Sequence, residues 1–239
     1  MGIAHLLEDL HLHAASLDSF ANLFNIACQV QPLECYHLAV QSFLSYAFED
    51  EFSTIHTNVN GAHHLLSSLK EAAPSCRFYF SGSGKVFGRS GHTPQKESAT
   101  FQPRSVYGIS KVAGVHLTRN YRESYGMYAT CGILYNHESP RRLFEFVTRK
   151  ITHNVAKINL GLANERKLDN PDARRDWGHA KDYVRTTRLM LQQDEPDDYA
   201  ITTGETCSVR TFAQAAFAQV ALDYRDHVAR DMRFFRPES

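Results

Sequence analysis

The sequence is short of most features that announce a special class of protein. No apolar run approaches the ~18 residues needed to cross a bilayer, and the first residues, Met1-Gly2-Ile3-Ala4-His5, show no basic segment followed by a long apolar stretch. Neither a membrane span nor a signal peptide is expected. Neither sign of charge is in excess: 26 Lys+Arg balance 26 Asp+Glu. A non-specific polyanion binder is thereby disfavoured, and no nucleic-acid partner is expected. The five cysteines (Cys28, Cys35, Cys76, Cys131, Cys207) are scattered with no CxxC pair, which reads as reduced thiols of a cytoplasmic protein. The 13 histidines include His11-x-His13 and His63-His64. No HExxH or Cys/His set accompanies them, so no metal site is expected.

What is present is ordinary globular material, 239 residues with 43% hydrophobic and 22% charged. A chain of this length buries roughly 70% of its unfolded surface and needs no staple. Short apolar runs alternate with longer amphipathic ones. The periodicity predicts helices over Leu17–Val30, Ser53–Ala73, Ser105–Tyr125, Phe144–Leu160, His179–Gln193 and Val209–Asp223. Strands are predicted at Leu33–Leu38, Arg77–Ser81, Tyr128–Tyr135 and Tyr199–Thr202. Strand–helix alternation of this kind implies a doubly wound α/β fold with a parallel sheet and helices on both faces.

The chemistry is concentrated in Tyr107-Gly108-Ile109-Ser110-Lys111, a YxxxK on a helix, preceded by Ser83 at a strand end. Four residues make about one helical turn, so Tyr107 and Lys111 share a face. An ammonium beside a phenol stabilises the phenolate and makes it an acid/base near neutral pH. The serine hydroxyl can hold a substrate oxygen meanwhile. YxxxK alone is a weak signal; a packed tyrosine beside a surface lysine gives the same string. The order strand, Ser83, loop, YxxxK strengthens it.

Longer motifs surround this group. Tyr135-Asn136-His137-Glu138-Ser139-Pro140-Arg141-Arg142, followed by Phe146-Val147-Thr148-Arg149-Lys150-Ile151, closely resembles a segment of the GDP-mannose 4,6-dehydratases. So does Arg175-Asp176-Trp177-Gly178-His179-Ala180-Lys181-Asp182-Tyr183-Val184. The likeness continues through Pro103-Arg104-Ser105 and Asn120-Tyr121-Arg122-Glu123-Ser124-Tyr125-Gly126 and covers nearly the whole chain. That family belongs to the extended short-chain dehydrogenases, with a Rossmann-like sheet and a smaller C-terminal substrate-binding part. The resemblance implies residues 1–134 for the first and 135–239 for the second.

The resemblance also implies a reaction and its residues: GDP-mannose or a related GDP-sugar as substrate, NADP (or NAD) as cofactor, and an internal redox cycle ending in loss of water. Ser83, Tyr107 and Lys111 would be catalytic. Leu38, Ala39, Gln41, Ser42, Tyr107, Lys111, His137 and Arg142 would contact the cofactor. Ser83, Asn136, Lys150 and Arg175 would contact the sugar nucleotide, arginine offering a planar donor fork to diphosphate. Taken alone, Arg141 and Arg142 also read as a solvated pair, and Arg175 as an ion-pair partner of Asp176 or Asp182. A homo-oligomer, or association with a full-length homologue, is implied as well.

The sequence departs from the family in places. His5-Leu6-Leu7-Glu8-Asp9 looks like a segment beyond the family's second strand, so the glycine-rich turn that holds the cofactor pyrophosphate is missing. Phe235-Arg236-Pro237-Glu238-Ser239 resembles the start of a segment that the family continues. A chain short at both ends is expected to bind a dinucleotide weakly by itself. Lys85 stands where the family has the glutamate that takes the C5 proton, and Phe43 and Leu143 replace a histidine and a glycine. Three readings stay open: a dehydratase, a nucleotide-sugar reductase or epimerase, and a non-catalytic GDP-sugar-binding or regulatory remnant.

Overall fold

The computed structural model describes residues 4–41, 50–89, 94–164, 166–168 and 170–230. These form two compact units, one of residues up to Leu134 together with Tyr183–Ile201, the other of Tyr135–Asp182 and the residues from Thr202 onward. Residues 183–201, which the linear division placed in the second part, therefore group with the first.

The first unit is built on a parallel sheet of order β1-β2-β3-β8, with β1 at Glu34–His37, β2 at Arg77–Ser83, β3 at Ala129–Leu134 and β8 at Asp198–Ile201. The register runs Tyr36↔Tyr79, Phe80↔Cys131 and Ile133↔Ala200. All six residues of β3 are buried, as a central strand covered on both faces requires. Alternation along β2 sends Tyr79 one way and Phe80 the other. Tyr79 packs with Met190 and Leu191, at the end of the helix Ala180–Met190 (α6). Phe80 meets the helix Val106–Tyr125 (α4), for a Cβ on Gly114 would lie 2.1 Å from its ring. Helices thus cover both faces, and the fold is the doubly wound α/β sheet its patterning implies.

On α4's side of the sheet lie also α1 (Phe20–Val30), capped by Ser19 Oγ accepting from Asn22 N, and α3 (Gly61–Ala72), against which α1 packs. The predicted helix over Ser53–Ala73 is not continuous. It divides into α2 (Glu51–Ile55), a π-helical turn at His56–Asn60, and α3. The strand β8 is secured twice: Asp198, buried, meets Arg119 at 2.5 Å and Arg122 at 3.1 Å, both from α4, and the Ala200 amide donates to Glu97 at 2.7 Å.

In the second unit, α5 (Val147–Asn159) presents Ile151, Val155 and Ile158 to Val209, Ala213 and Phe217 of α7 (Val209–Ala218). Both triples recur at three- to four-residue steps, the stripe of an amphipathic helix. Small two-stranded ladders complete it: β4 (Asn136–Glu138) with β7 (Trp177–His179), β6 (Arg174–Arg175) with β9 (Cys207–Ser208), and β5 (Arg166–Leu168) with β10 (Val228–Arg230). The predicted helix to Asp223 stops at Ala218, where Ala221 takes φ +57° and Asp223 caps a new short helix, Tyr224–His227 (α8). None of the described helices is long and apolar enough to cross a membrane.

Candidate active site

The candidate redox group lies in the first unit, at the carboxyl ends of the sheet strands. Parallel strands deliver those ends to one edge, the usual position of ligand crevices in such sheets. Ser83 closes β2, and its Oγ accepts from Lys85 N at 3.3 Å, starting a 3-10 turn over Gly84–Val86. Ser105 caps α4 by accepting from Gly108 N at 3.1 Å. The two segments touch: a Cβ on Gly108 would stand 2.9 Å from the Lys85 carbonyl oxygen. The turn carrying Ser83 and Lys85 therefore abuts the helical turn carrying Tyr107. Only a residue without a side chain permits that approach.

Tyr107 is half-buried, whereas Lys111 is 3% exposed. The stripe Gly108, Lys111, Val115, Thr118 faces the sheet, which carries the ammonium inward with it. Lys111 donates to the Ser81 carbonyl at 2.6 Å and lies 5.8 Å from the Tyr107 ring centroid and 5.0 Å from that of Phe80. Burial pulls its pKa down to about 8, opposed in part by Cys131 nearby. His37, at the end of β1, packs beside Phe78 and Phe80, and burial together with the Lys111 charge holds it down to about 4. One proton-bearing cation, Lys111, thus sits under the phenol, and the neighbouring imidazole is neutral at physiological pH.

Leu38, Ala39 and Gln41 follow β1 and are exposed at the same sheet edge. Ser42 and Phe43, like the Phe235–Ser239 segment, lie outside the described residues. The other named residues belong to the second unit. Asn136 opens β4 opposite Trp177. His137 Nδ1 lies 3.0 Å from the Tyr135 carbonyl. Arg142 is neither solvated nor loose: its Nε lies 3.3 Å from Glu138 Oε2 and its guanidinium stacks 3.4 Å over the Phe146 ring. Glu138 also accepts from Thr148 at 2.6 Å. Lys150 is half-buried on α5, its amide bonded to the Phe146 carbonyl. Arg175 donates to the Arg174 carbonyl at 2.6 Å. The Asp176 partner suggested for it is occupied elsewhere, accepting from Thr202 Oγ1 and the amides of Thr203 and Gly204. Trp177 packs on Phe212. Among the described residues no cluster of His, Cys, Asp or Glu could hold a metal.

Comparison with known proteins settles descent. The family model for GDP-mannose 4,6 dehydratase matches residues 3–238. The chain belongs to the GDP-mannose 4,6-dehydratase family. GDP-mannose 4,6 dehydratase 1 of Arabidopsis thaliana is 43% identical over 232 residues, covering 95% of this chain and 64% of the relative. The Yersinia enterocolitica GDP-mannose 4,6-dehydratase is 41% identical, covering 92% and 62%, and the Homo sapiens protein 39%, covering 98% and 68%. The chain thus spans under two thirds of the first two relatives. Among solved structures, RMD from Pseudomonas aeruginosa complexed with NADPH superposes with a TM-score of 0.87 at 23% identity, covering 100% of this chain and 85% of that one. DesIV, a dTDP-glucose 4,6-dehydratase from Streptomyces venezuelae, gives 0.80 at 20%, covering 92% and 66%. At such identities these two speak for the fold.

One buried polar neighbour of this group carries no mark in the sequence. Asn58, at the centre of the π-helical turn, is buried and bonded to Gln41 and Ser110. A polar residue in a helical pattern gives no such signal; only the break in the helix does.

Proposed function

We propose that this chain carries out C4 oxidoreduction on a GDP-sugar, in the manner of a GDP-mannose 4,6-dehydratase, with Tyr107 as acid/base, Lys111 as its supporting cation and Ser83 as the hydroxyl that holds the reacting oxygen. The observation that carries this reading is the contact between the Ser83–Lys85 turn and the Tyr107 turn, with Lys111 buried behind. A nicotinamide dinucleotide, when bound, supplies the hydride acceptor. The residues present fit its nicotinamide end, since a half-buried phenol backed by an ammonium stands at the strand ends beside exposed Leu38, Ala39 and Gln41. NADP is the proposed form, with NAD as its alternative, and His137 and Arg142 are proposed as further contacts. Arg142 would have to trade Glu138 for an anion to serve.

Tyr107, held as phenolate by Coulomb attraction to the Lys111 ammonium, removes the C4 hydroxyl proton as hydride leaves C4. The Ser83 hydroxyl donates to the same sugar oxygen and follows it as it becomes a ketone. That ketone acidifies C5. Loss of the C5 proton and of water from C6 then needs a base, and the residue at the family's glutamate position is Lys85. Asn136, Lys150 and Arg175 are the proposed contacts to the GDP moiety, their donors suited to diphosphate oxygens. An assembly of copies, or pairing with a longer homologue, is proposed for the same family reason, and a cytoplasmic location fits the five free thiols.

Lys85 favours a second reading, oxidoreduction at C4 without dehydration, as in a reductase or epimerase. One experiment separates the two: GDP-mannose and NADP are supplied and the sugar products are followed by NMR. Formation of GDP-4-keto-6-deoxymannose by the wild type, abolished in Tyr107→Phe, supports the dehydratase. C4 turnover without C6 deoxygenation, converted to dehydration by Lys85→Glu, supports the second reading. Neither product, with neither nucleotide consumed, defeats both and leaves the binding remnant.

A further inference from the structure

In the second unit, Asp176 is the single residue between two short ladders. Before it, Arg174 and Arg175 form β6, antiparallel to β9 with Arg174↔Ser208 and Arg175↔Cys207. After it, Trp177 opens β7 beside Asn136 of β4. Two-stranded ladders of two or three residues are marginal by themselves. Asp176 supplies a hold that they lack. It is 6% exposed, and a buried carboxylate has to be paired or hydrogen-bonded. Three donors meet it: Thr202 Oγ1, the Thr203 amide at 2.9 Å and the Gly204 amide at 3.2 Å.

The match is to the charged form, since an ionised carboxylate only accepts and each of these groups donates. Two successive amides converge because Gly204 takes φ +81°, a backbone that glycine adopts without strain. Successive amides turned the same way make a concavity for an anion. Here the chain's own carboxylate fills it. The Gly204 amide also donates to Thr202 Oγ1 at 3.1 Å, which closes the turn. Arg174 grips the same segment further along, its Nε donating to Thr206 Oγ1 at 3.0 Å and its Nη2 to the Thr206 carbonyl at 2.6 Å. Alternation along β6 turns Arg175 away from the side that Arg174 takes. Arg175 therefore stands between two anchored residues. The carboxylate next to it is taken up by the turn's donors, so its guanidinium keeps its charge for an anion.

We infer that Asp176 is a positioning residue, which by holding the Thr202–Gly204 turn fixes the point from which Arg175 presents its guanidinium. This rests on the proposal that Arg175 contacts the GDP moiety. A planar donor fork takes two diphosphate oxygens at once only when its plane is correctly set. On a loose two-residue strand that order would have to be created at each binding event, at the expense of affinity. Asp176 touches no ligand itself. It acts through Arg175.

The test compares Asp176→Asn, Thr202→Val and Thr202→Ser with Phe217→Leu, a cavity variant of the α5–α7 core that leaves every bond to Asp176 in place. GDP-mannose affinity is measured by calorimetric titration well below every melting temperature, and Asp176→Asn is also made in an Arg175→Ala background. The inference expects Asp176→Asn and Thr202→Val each to weaken binding about fivefold, most of what one charge-assisted bond contributes. Thr202→Ser, which keeps the donor, should bind as the wild type does, and Phe217→Leu should move only the melting temperature. With Arg175 already gone, Asp176→Asn should weaken binding no further. Wild-type affinity in Asp176→Asn, or the same loss with and without Arg175, would overturn the inference. If Arg175→Ala binds as tightly as the wild type, the proposed GDP contact falls. In that case, or where binding is too weak to titrate, amide hydrogen exchange across Arg174–Arg175 decides: faster in Asp176→Asn but not in Phe217→Leu upholds the positioning, unchanged refutes it.

Discussion

In the proposed mechanism, Lys111 serves the chemistry at the expense of stability. Its helical position carries it under the sheet, where a charge is unwelcome, and burial lowers its pKa from 10.5 to about 8. The unfolded lysine keeps its proton up to the ordinary value. Folding is therefore penalised in full below pH 8, and the penalty fades as pH rises from about 8 to about 10.5. Two consequences separate. Replacing Lys111 with Met should stabilise the protein at pH 7 by on the order of 1–3 kcal/mol in urea unfolding, less what the lost bond to Ser81 contributed. The same variant should lose C4 turnover by about 10²-fold or more, and wild-type turnover should fall as pH rises through about 8, where the ammonium is lost. A Lys111→Met variant both less stable and fully active would break the assignment. YxxxK was legible in the sequence as a pairing on one face; that the lysine is the deeper of the two was not. Depth depends on which side of α4 meets Phe80, and that is a matter of packing.

At the scale of elements, α4 and β2 approach closely because small residues stand where they cross. A Cβ on Gly114 would come within 2.1 Å of the Phe80 ring, so Gly114→Ala should destabilise by about 1–3 kcal/mol as an overpacked core does. Gly114→Ala combined with Phe80→Leu should recover part of that loss, measured as a non-additive double-mutant cycle in thermal or urea unfolding; strict additivity would mean that the crossing is not where the strain lies. The long elements were legible from periodicity, with ends displaced by a few residues. Three kinds of feature were not. The ladders of the second unit are two or three residues long, too short for a period of two to declare itself. The π-helical turn leaves no mark, because Val59 and Leu65 continue an apolar pattern through it. The helix predicted to Asp223 ends at Ala218 with neither glycine nor proline to announce the stop, and Leu222 falls where a longer helix would have placed an apolar side chain.

For the molecule as a whole, the proposed catalytic and substrate-contact residues fall in different units. Ser83, Tyr107 and Lys111 lie in the first, and Asn136, Lys150 and Arg175 in the second. The second unit holds together through its own core of α5 and α7, to which neither Lys150 nor Arg175 belongs, so removing either half-buried cation should leave folding intact. Lys150→Ala and Arg175→Ala should each weaken GDP-mannose binding about tenfold in calorimetric titration, within the range of one charge-assisted bond, while melting changes by only a few degrees. Unaltered affinity in both would remove them from the proposed substrate contacts. Long motifs such as Asn136–Arg142 and Arg175–Val184 made descent readable, yet Arg142 shows the limit of such reading. Its likeness to a cofactor contact said nothing of Glu138 and Phe146, which hold it here.

The central claim is that the sugar's C4 carbon is oxidised beside Tyr107, whatever follows. GDP-mannose deuterated at C4, incubated with NADP and this protein, tests it by NMR. C4 oxidation predicts that deuterium leaves C4, arriving at C6 if water is lost, on the nicotinamide if the ketone is released, or back on C4 of an inverted sugar in an epimerase, and that Tyr107→Phe leaves labelled GDP-mannose unchanged. Labelled GDP-mannose recovered unchanged from the wild-type reaction, as from Tyr107→Phe, would contradict it.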